Sequence, residues 1–480
     1  MPHPPSGPRR RTLVVAALIA SAGCRLHEVV HDPLPPMAVP DQWQGATAAG
    51  AALPERWWQA LGDPGLDQLV DEVLAGNLPL RAAWARVRQA RALVRQADAT
   101  RWPQLDVTGQ AARTRQRFEI MEGVVLTPTV NSFQLSAAAG YEVDLWRRLG
   151  STRAAAALDA LAVRDDAEAI ATSVVGEVAE AWFDVVAVKA QLAILADQGR
   201  INATFLELTE LRFRTGTATA LDVYQQRQQV LANRAAVEQA EGALRAAGTR
   251  LAVLRGVAPG DPGWIERAPA QLPTLPATPA LGVPADLLRR GPDVRAARRR
   301  AEAADHRVGV ALADRFPALR LGGSVGLSAS SITKLFDGGV FSVFAQVAQS
   351  VFDGGRRAAE VERTRDVVDE RLLGLAQVLV AAMAEVDGAL TDERNRAVEL
   401  ATTRERRALA QAALDDARAF YAEGLIDYLQ VLNALAAQQT LQLAELQQQR
   451  TQLSARLRLY RALGGTWTQT LTVPGRATRN

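Results

Sequence analysis

The pentapeptide Arg101-Trp102-Pro103-Gln104-Leu105 returns as Arg315-Phe316-Pro317-Ala318-Leu319, and Arg81-Ala82-Ala83 returns as Arg295-Ala296-Ala297, in both cases 214 residues later. Farther along the displacement is 208: Arg148 pairs with Arg356, Gly216 with Gly424, Leu221 with Leu429 and Val223 with Val431. Self-similarity at a fixed period means one supersecondary unit built twice. The drop from 214 to 208 leaves six extra residues in the first copy, between Leu105 and Arg148.

The segment that changes length reads as strands. Leu321, Val325 and Leu327 alternate with Arg320, Gly322, Ser324 and Gly326, while Phe133, Leu135, Ala137, Ala139, Tyr141 and Val143 alternate with Ser132, Gln134, Ser136, Gly140, Glu142 and Asp144. Period two with one apolar and one polar face is the pattern of a strand between lipid and a watery lumen. Strands are predicted over about 104–115, 131–144, 318–328 and 339–352, with external loops at Arg117–Pro128 and Ser330–Gly338.

Elsewhere the chain reads as helix, over 80–100, 152–199, 217–256, 286–313, 356–410 and 426–463. Apolar residues three and four apart, such as Leu158, Leu161, Val174, Val178 and Ala181, give narrow buried seams. Aromatics at 5% suit such rods better than one large globular core.

Four strands cannot close a transmembrane barrel, because the smallest have about eight. The protomer therefore shares its barrel: three copies would give twelve strands, and strand count alone also permits a dimer of eight. The fold class expected is mainly α with a membrane β region, long coiled-coil helices beneath strands contributed by several copies.

The N-terminus carries Arg9, Arg10 and Arg11, an apolar run from Leu13 to Ala20, then Ser21-Ala22-Gly23-Cys24, the layout of a secretory signal. Cys24, the only cysteine, follows the small residues as in a lipobox, although Ser21 stands where Leu is usual. A lipid at Cys24 is expected, and no other cofactor. The net charge of +3 equals the three arginines of the signal, so the balance carries no nucleic-acid signal. Beyond the signal, no apolar run is seen approaching the roughly 18 to 20 residues a membrane-spanning helix needs, which leaves a barrel as the way across a membrane. The expected organisation is signal 1–23, lipidated segment 24–55, first repeat 56–268, Pro-rich linker 269–284, second repeat 285–465 and tail 466–480.

Several landmarks carry a family resemblance. They are Trp57-Trp58-Gln59-Ala60-Leu61-Gly62-Asp63-Pro64, Asn77-Leu78-Pro79-Leu80-Arg81-Ala82-Ala83, Tyr141-Glu142-Val143-Asp144-Leu145-Trp146, Phe352-Asp353-Gly354-Gly355-Arg356-Arg357, and the segments around Gly216 and Gly424. The chain resembles the TolC-like outer membrane factors, in particular their lipoprotein branch. That resemblance implies a homotrimer with a 12-stranded barrel above an α-helical barrel, in the outer membrane and extending into the periplasm. It would conduct cargo passively from an inner-membrane pump through a periplasmic adaptor. The helix-turn-helix segments Arg212–Val223 and Phe420–Asn433 would form the periplasmic end. By the same resemblance Leu429 and Asn433 would line its narrowest ring, with Gln430 and Asp427 nearby, Tyr421 and Asp222 would hold the closed state, and Gly216 and Gly424 would mark the adaptor-docking turns. Gln430 and Asn433 stand where such proteins usually have Asp, which puts the usual cation preference in doubt, and Ile426 stands where some have a locking Arg.

Signals of chemistry are weak. Gly322-Gly323-Ser324-Val325-Gly326 fits Gly-x-Ser-x-Gly, but alternation runs straight through it and Ser324 falls on the polar face. His27, His31 and His306 are too scattered for a metal cluster, and Arg295–Arg300 reads as a solvated helix face. The alternative to a duct is an outer-membrane structural trimer without transport.

Overall fold

A computed structural model describes residues 26–43, 54–260 and 263–473; Cys24 and the signal lie outside the described residues. After a short 3-10 turn, Trp57–Leu61, come helices α1 (Pro64–Gly76) and α2 (Leu78–Ala99). Strands β1 (Gln104–Arg115), β2 (Phe118–Met121), β3 (Val124–Leu126) and β4 (Thr129–Val143) follow, then α3 (Arg148–Arg214), α4 (Ala220–Arg255) and α5 (Gly263–Arg267). The second half adds α6 (Leu287–Arg290), α7 (Pro292–Ala313), β5 (Ala318–Ala329), β6 (Gly339–Ala348), α8 (Arg356–Ala422) and α9 (Tyr428–Leu463). The protein is mainly helical, and α3 and α8 each run 67 residues.

The chain forms two compact units that do not follow its sequence halves. Among the described residues, one takes in 26–36, 87–163 and 296–376, the other 37–43, 54–86, 164–260, 263–295 and 377–473. In the first unit a four-stranded antiparallel sheet has the order β1-β4-β5-β6. Its register aligns Leu105 with Ala139, Ala137 with Val325 and Val325 with Phe341, so the odd-numbered residues of all four strands share one face. The even-numbered face is mainly polar on β1, β4 and β5, while β6 adds Val340 and Phe344 to it. There Thr108 and Ser136 pair their hydroxyls at 2.7 Å, and Ser324 and Ser342 theirs at 2.8 Å. β1 and β6 are edge strands. The six extra residues of the first copy fall where β2 and β3 form a separate two-stranded hairpin, in a tip expected to be loop.

In the same unit, His27 Nε2 lies 2.6 Å from Asp305 on α7, the Val30 N–H donates to that carboxylate, and His31 Nδ1 lies 2.7 Å from Glu302. Burial lowers the affinity of His306 for a proton. His31 and His306 are ring neighbours at 6.3 Å between centroids, so these histidines are closer together in space than in sequence.

The second unit holds an aromatic core. Trp57, Trp58, Trp182 and Tyr460 are fully buried. Asp63 caps α1 by accepting from the N–H groups of Gly65 and Leu66, with Pro64 at the first helical position where its missing N–H costs nothing. Its second oxygen accepts from the Trp182 indole at 2.7 Å, and Trp182 packs so closely on Gly65 that a β-carbon there would sit 2.8 Å from the ring. Buried Arg295 is paired with Asp165 and Glu168 of α3, and buried Arg456 with Glu393 of α8.

Several expectations are corrected. Arg295 is a buried ion-pair residue rather than part of a solvated face, because α7 turns it toward two carboxylates. β6 stops at Ala348 instead of 352, α3 runs on from 199 to Arg214, and α8 from 410 to Ala422. Helix α8 also contains an 18-residue window of mean hydropathy 1.5 with at most two charged residues, long and apolar enough by length and composition to cross a membrane. Interspersed alanines and polar residues such as Gln377 hide that average when one looks for an unbroken apolar run. Only 22% of that window is buried within the chain.

Candidate functional site

Two helix-turn-helix ends in the second unit carry the residues singled out above. At the first, α3 ends in a left-handed glycine. Gly216 has φ +74°, its N–H donates to the Phe213 carbonyl and the Thr217 N–H to the Arg212 carbonyl at 2.8 Å. At the second, Gly424 has φ +77°, its N–H donates to Tyr421 and the Leu425 N–H to Phe420 at 2.9 Å. These six-to-one closures need positive φ, which glycine adopts without a steric penalty. A β-carbon at either glycine would meet nothing within 4 Å, so both turns present open backbone.

The helices that leave the turns are capped differently. Thr219 and Asp222 form a reciprocal capping box, with the Thr219 N–H donating to Asp222 at 2.8 Å and the Asp222 N–H to the Thr219 hydroxyl at 3.2 Å. At the second end Asp427 is the N-cap and its side chain accepts no capping hydrogen bond. Gln430, the counterpart of Asp222, donates its N–H to the Asp427 carbonyl.

Leu429, Gln430 and Asn433 are exposed, and Leu429 and Asn433 are four apart on one face of α9. Leu429 is 48% exposed, and Leu425, Leu221 and Tyr224 of the two helix-turn-helix ends are exposed as well. Asp222 is engaged in its own helix cap, while Tyr421 lies under the Arg212 guanidinium, 4.3 Å from the ring centroid. Burial pushes the Tyr421 phenol above its ordinary range, and Arg212 pulls the other way.

Beneath the exposed rim is a polar ladder that sequence reading missed. The Tyr428 hydroxyl donates to Gln226 Oε1 at 2.7 Å, Gln226 Nε2 to the Asn202 carbonyl at 2.8 Å, and Gln439 Nε2 to Asn202 Oδ1 at 2.9 Å. All four residues are buried. Arg212 was missed as well. The available signal was an amide recurring in otherwise apolar seams, since a buried polar side chain must find partners and so fixes register.

Nothing at these ends gathers an acid, a base and a nucleophile. Among the described residues, no group of three or more His, Cys, Asp or Glu is placed to hold a metal ion. Ser324 is held by Ser342 within a continuing strand, without the strand-to-helix turn a hydrolase nucleophile needs.

A sheet with a hydroxyl-lined face, joined in the chain to 67-residue helices whose far ends turn back on glycine, defines a membrane-channel class of protein. The sequence model of the family described as outer membrane efflux protein matches residues 69–257 and 283–465. The pyoverdine export outer membrane protein OpmQ of Pseudomonas putida is 32% identical, over 91% of this chain and 94% of its own. Outer membrane protein OprJ of Pseudomonas aeruginosa is 30% identical, over 96% and 97%. A solved structure of CusC, described in terms of folding and transmembrane channel formation, superposes with a TM-score of 0.79 at 26% identity, covering 92% of this chain and 100% of that one. The chain belongs to the outer membrane efflux protein family. It is an outer-membrane channel component of an efflux system, and its family is one of transport channels.

Proposed function

We propose that the chain works as a homotrimeric passive duct, anchored by a lipid on Cys24, that takes cargo from an inner-membrane pump through a periplasmic adaptor. The observation that carries this reading is the sheet: four strands, a hydroxyl-lined face, an apolar face, and two unpaired edges. Twelve strands from three copies would pair those edges, and the exposed apolar window of α8 gives neighbouring copies a seam to bury. The twofold sequence repeat supplies two helix-turn-helix ends per copy, six around a trimer axis. There Leu429 would form an apolar ring that excludes water and ions, with Asn433, Gln430 and Asp427 as neutral and acidic rings nearby. Tyr421 and Asp222 would stabilise the closed arrangement, and Gly216 and Gly424 would offer open backbone to the adaptor tips. Relatives are named for pyoverdine, toluene and cation efflux, which supports a permissive duct whose pump selects the cargo.

Single-channel recording in planar bilayers tests this. Wild type is expected to open rarely, and Leu429→Ala and Asn433→Ala to open more often and wider. Silence from inserted trimers of all three would instead favour a structural stalk.

A further inference from the structure

We propose that the lipid-facing side of β1 and β4 ends in a binding patch for the phosphate groups of the outer leaflet's phosphorylated glycolipid. The proposal rests on the reading of the sheet as part of a membrane barrel. On β1 the odd-numbered face runs Leu105, Val107, Gly109, Ala111, Arg113, Arg115. Leu105 and Val107 are 71% and 67% exposed, as suits contact with acyl chains. The same row then changes abruptly to two arginines, with a third, Arg117, two residues past the strand end. The register places Asn131 opposite Arg113 and Thr129 opposite Arg115, so two guanidinium groups, an amide and a hydroxyl share the end of one face. Neither the Arg113 nor the Arg115 guanidinium has a hydrogen-bond or ion-pair partner among the described residues, and both residues are exposed.

Height places this cluster at headgroup level. Tyr141, on the same face near the helical end of β4, suits the inner aromatic girdle. Ten residues separate Tyr141 from Asn131, about 34 Å along a strand at ~3.4 Å per residue. A strand tilt of about 40° reduces this to about 26 Å of height, against an apolar band about 25 Å tall. The end with the arginines is away from the helices, hence outward. Guanidinium is a planar fork that grips phosphate bidentately, and a cation that stood inside the hydrocarbon would be costly. Headgroup phosphate is the partner that satisfies both constraints. In the proposed trimer the patch occurs three times around the rim.

The test compares retention of lipid A and its dephosphorylated form by purified wild-type trimers and by an Arg113→Gln/Arg115→Gln variant, read by mass spectrometry of the bound lipid. Wild type is expected to retain the phosphorylated form at least tenfold better, and the variant to lose that preference. Equal retention of the two lipids by wild type overturns the proposal without any variant, and so does an unchanged preference in the double variant. Should the glutamine variant fail to assemble, Arg113→Ala and Arg115→Ala singly replace it, and an undiminished preference in both again overturns the idea. Single-channel conductance is read in parallel: it should survive these substitutions, since they face away from the lumen. Its absence in wild type would count against the channel reading and not against the lipid patch.

Discussion

Individual side chains here act in two or three roles at once, and Asp63 is the clearest case. One carboxylate oxygen caps α1 and the other holds the Trp182 indole. Asp63→Ala is therefore expected to cost more than a typical cap, which is worth about 0.5–2 kcal/mol, because a buried indole N–H loses its acceptor too. Thermal unfolding in detergent measures it, and a melting temperature equal to wild type would rule out the double role. Glu445 gives a pH handle. Burial pushes its carboxyl up, but hydrogen bonds from Arg407 and Arg404 outweigh burial and hold it below the ordinary glutamate value of 4.5. A folded value below the unfolded one stabilises the protein above about pH 4.5, and that contribution disappears as pH falls through the folded value. Glu445→Gln should flatten the acid limb of a stability curve below that pH. Parallel acid limbs for the two proteins would show that the arginines do not hold it.

At the level of elements, the two turns differ in how firmly they are built. The capping box of Thr219 and Asp222 ties down the start of α4, whereas α9 begins without a side-chain cap. The first turn of α9 is thus expected to exchange its amide hydrogens faster than that of α4, which hydrogen exchange of the assembled protein reads directly. Alternation made β4 and β5 legible from sequence, because period two survives over most of each strand. The β2–β3 hairpin was not legible, since Gly123 and Pro128 read as loop residues and its pairing is local to an insertion. The turns were legible through glycine and the repeat. Arg212 stacked on Tyr421, and the ladder from Tyr428 to Gln439, were not: partners 202 and 237 residues apart leave no trace in local spacing. Arg295 was misread for the same reason, as its carboxylates lie 130 and 127 residues away.

For the whole molecule, the proposed barrel requires β1 of one copy to meet β6 of the next. Cysteines at Leu105 and Val347, each on the odd-numbered face of its edge strand, would be the only free thiols if Cys24 is acylated as proposed. Oxidised membranes should contain disulfide-linked species up to trimers, and a scan of neighbouring β6 positions that yields monomers throughout would argue against that closure. The open edges also bear on how the protein is made. A lone copy would carry two strands with unsatisfied N–H and C=O groups and a row of bare apolar side chains such as Val343 and Phe341, the arrangement that templates aggregation in water. Biogenesis of the proposed barrel would gain from confining copies to a membrane surface before their sheets mature, and the proposed lipid on Cys24 would do so by turning a search through a volume into a search over a plane.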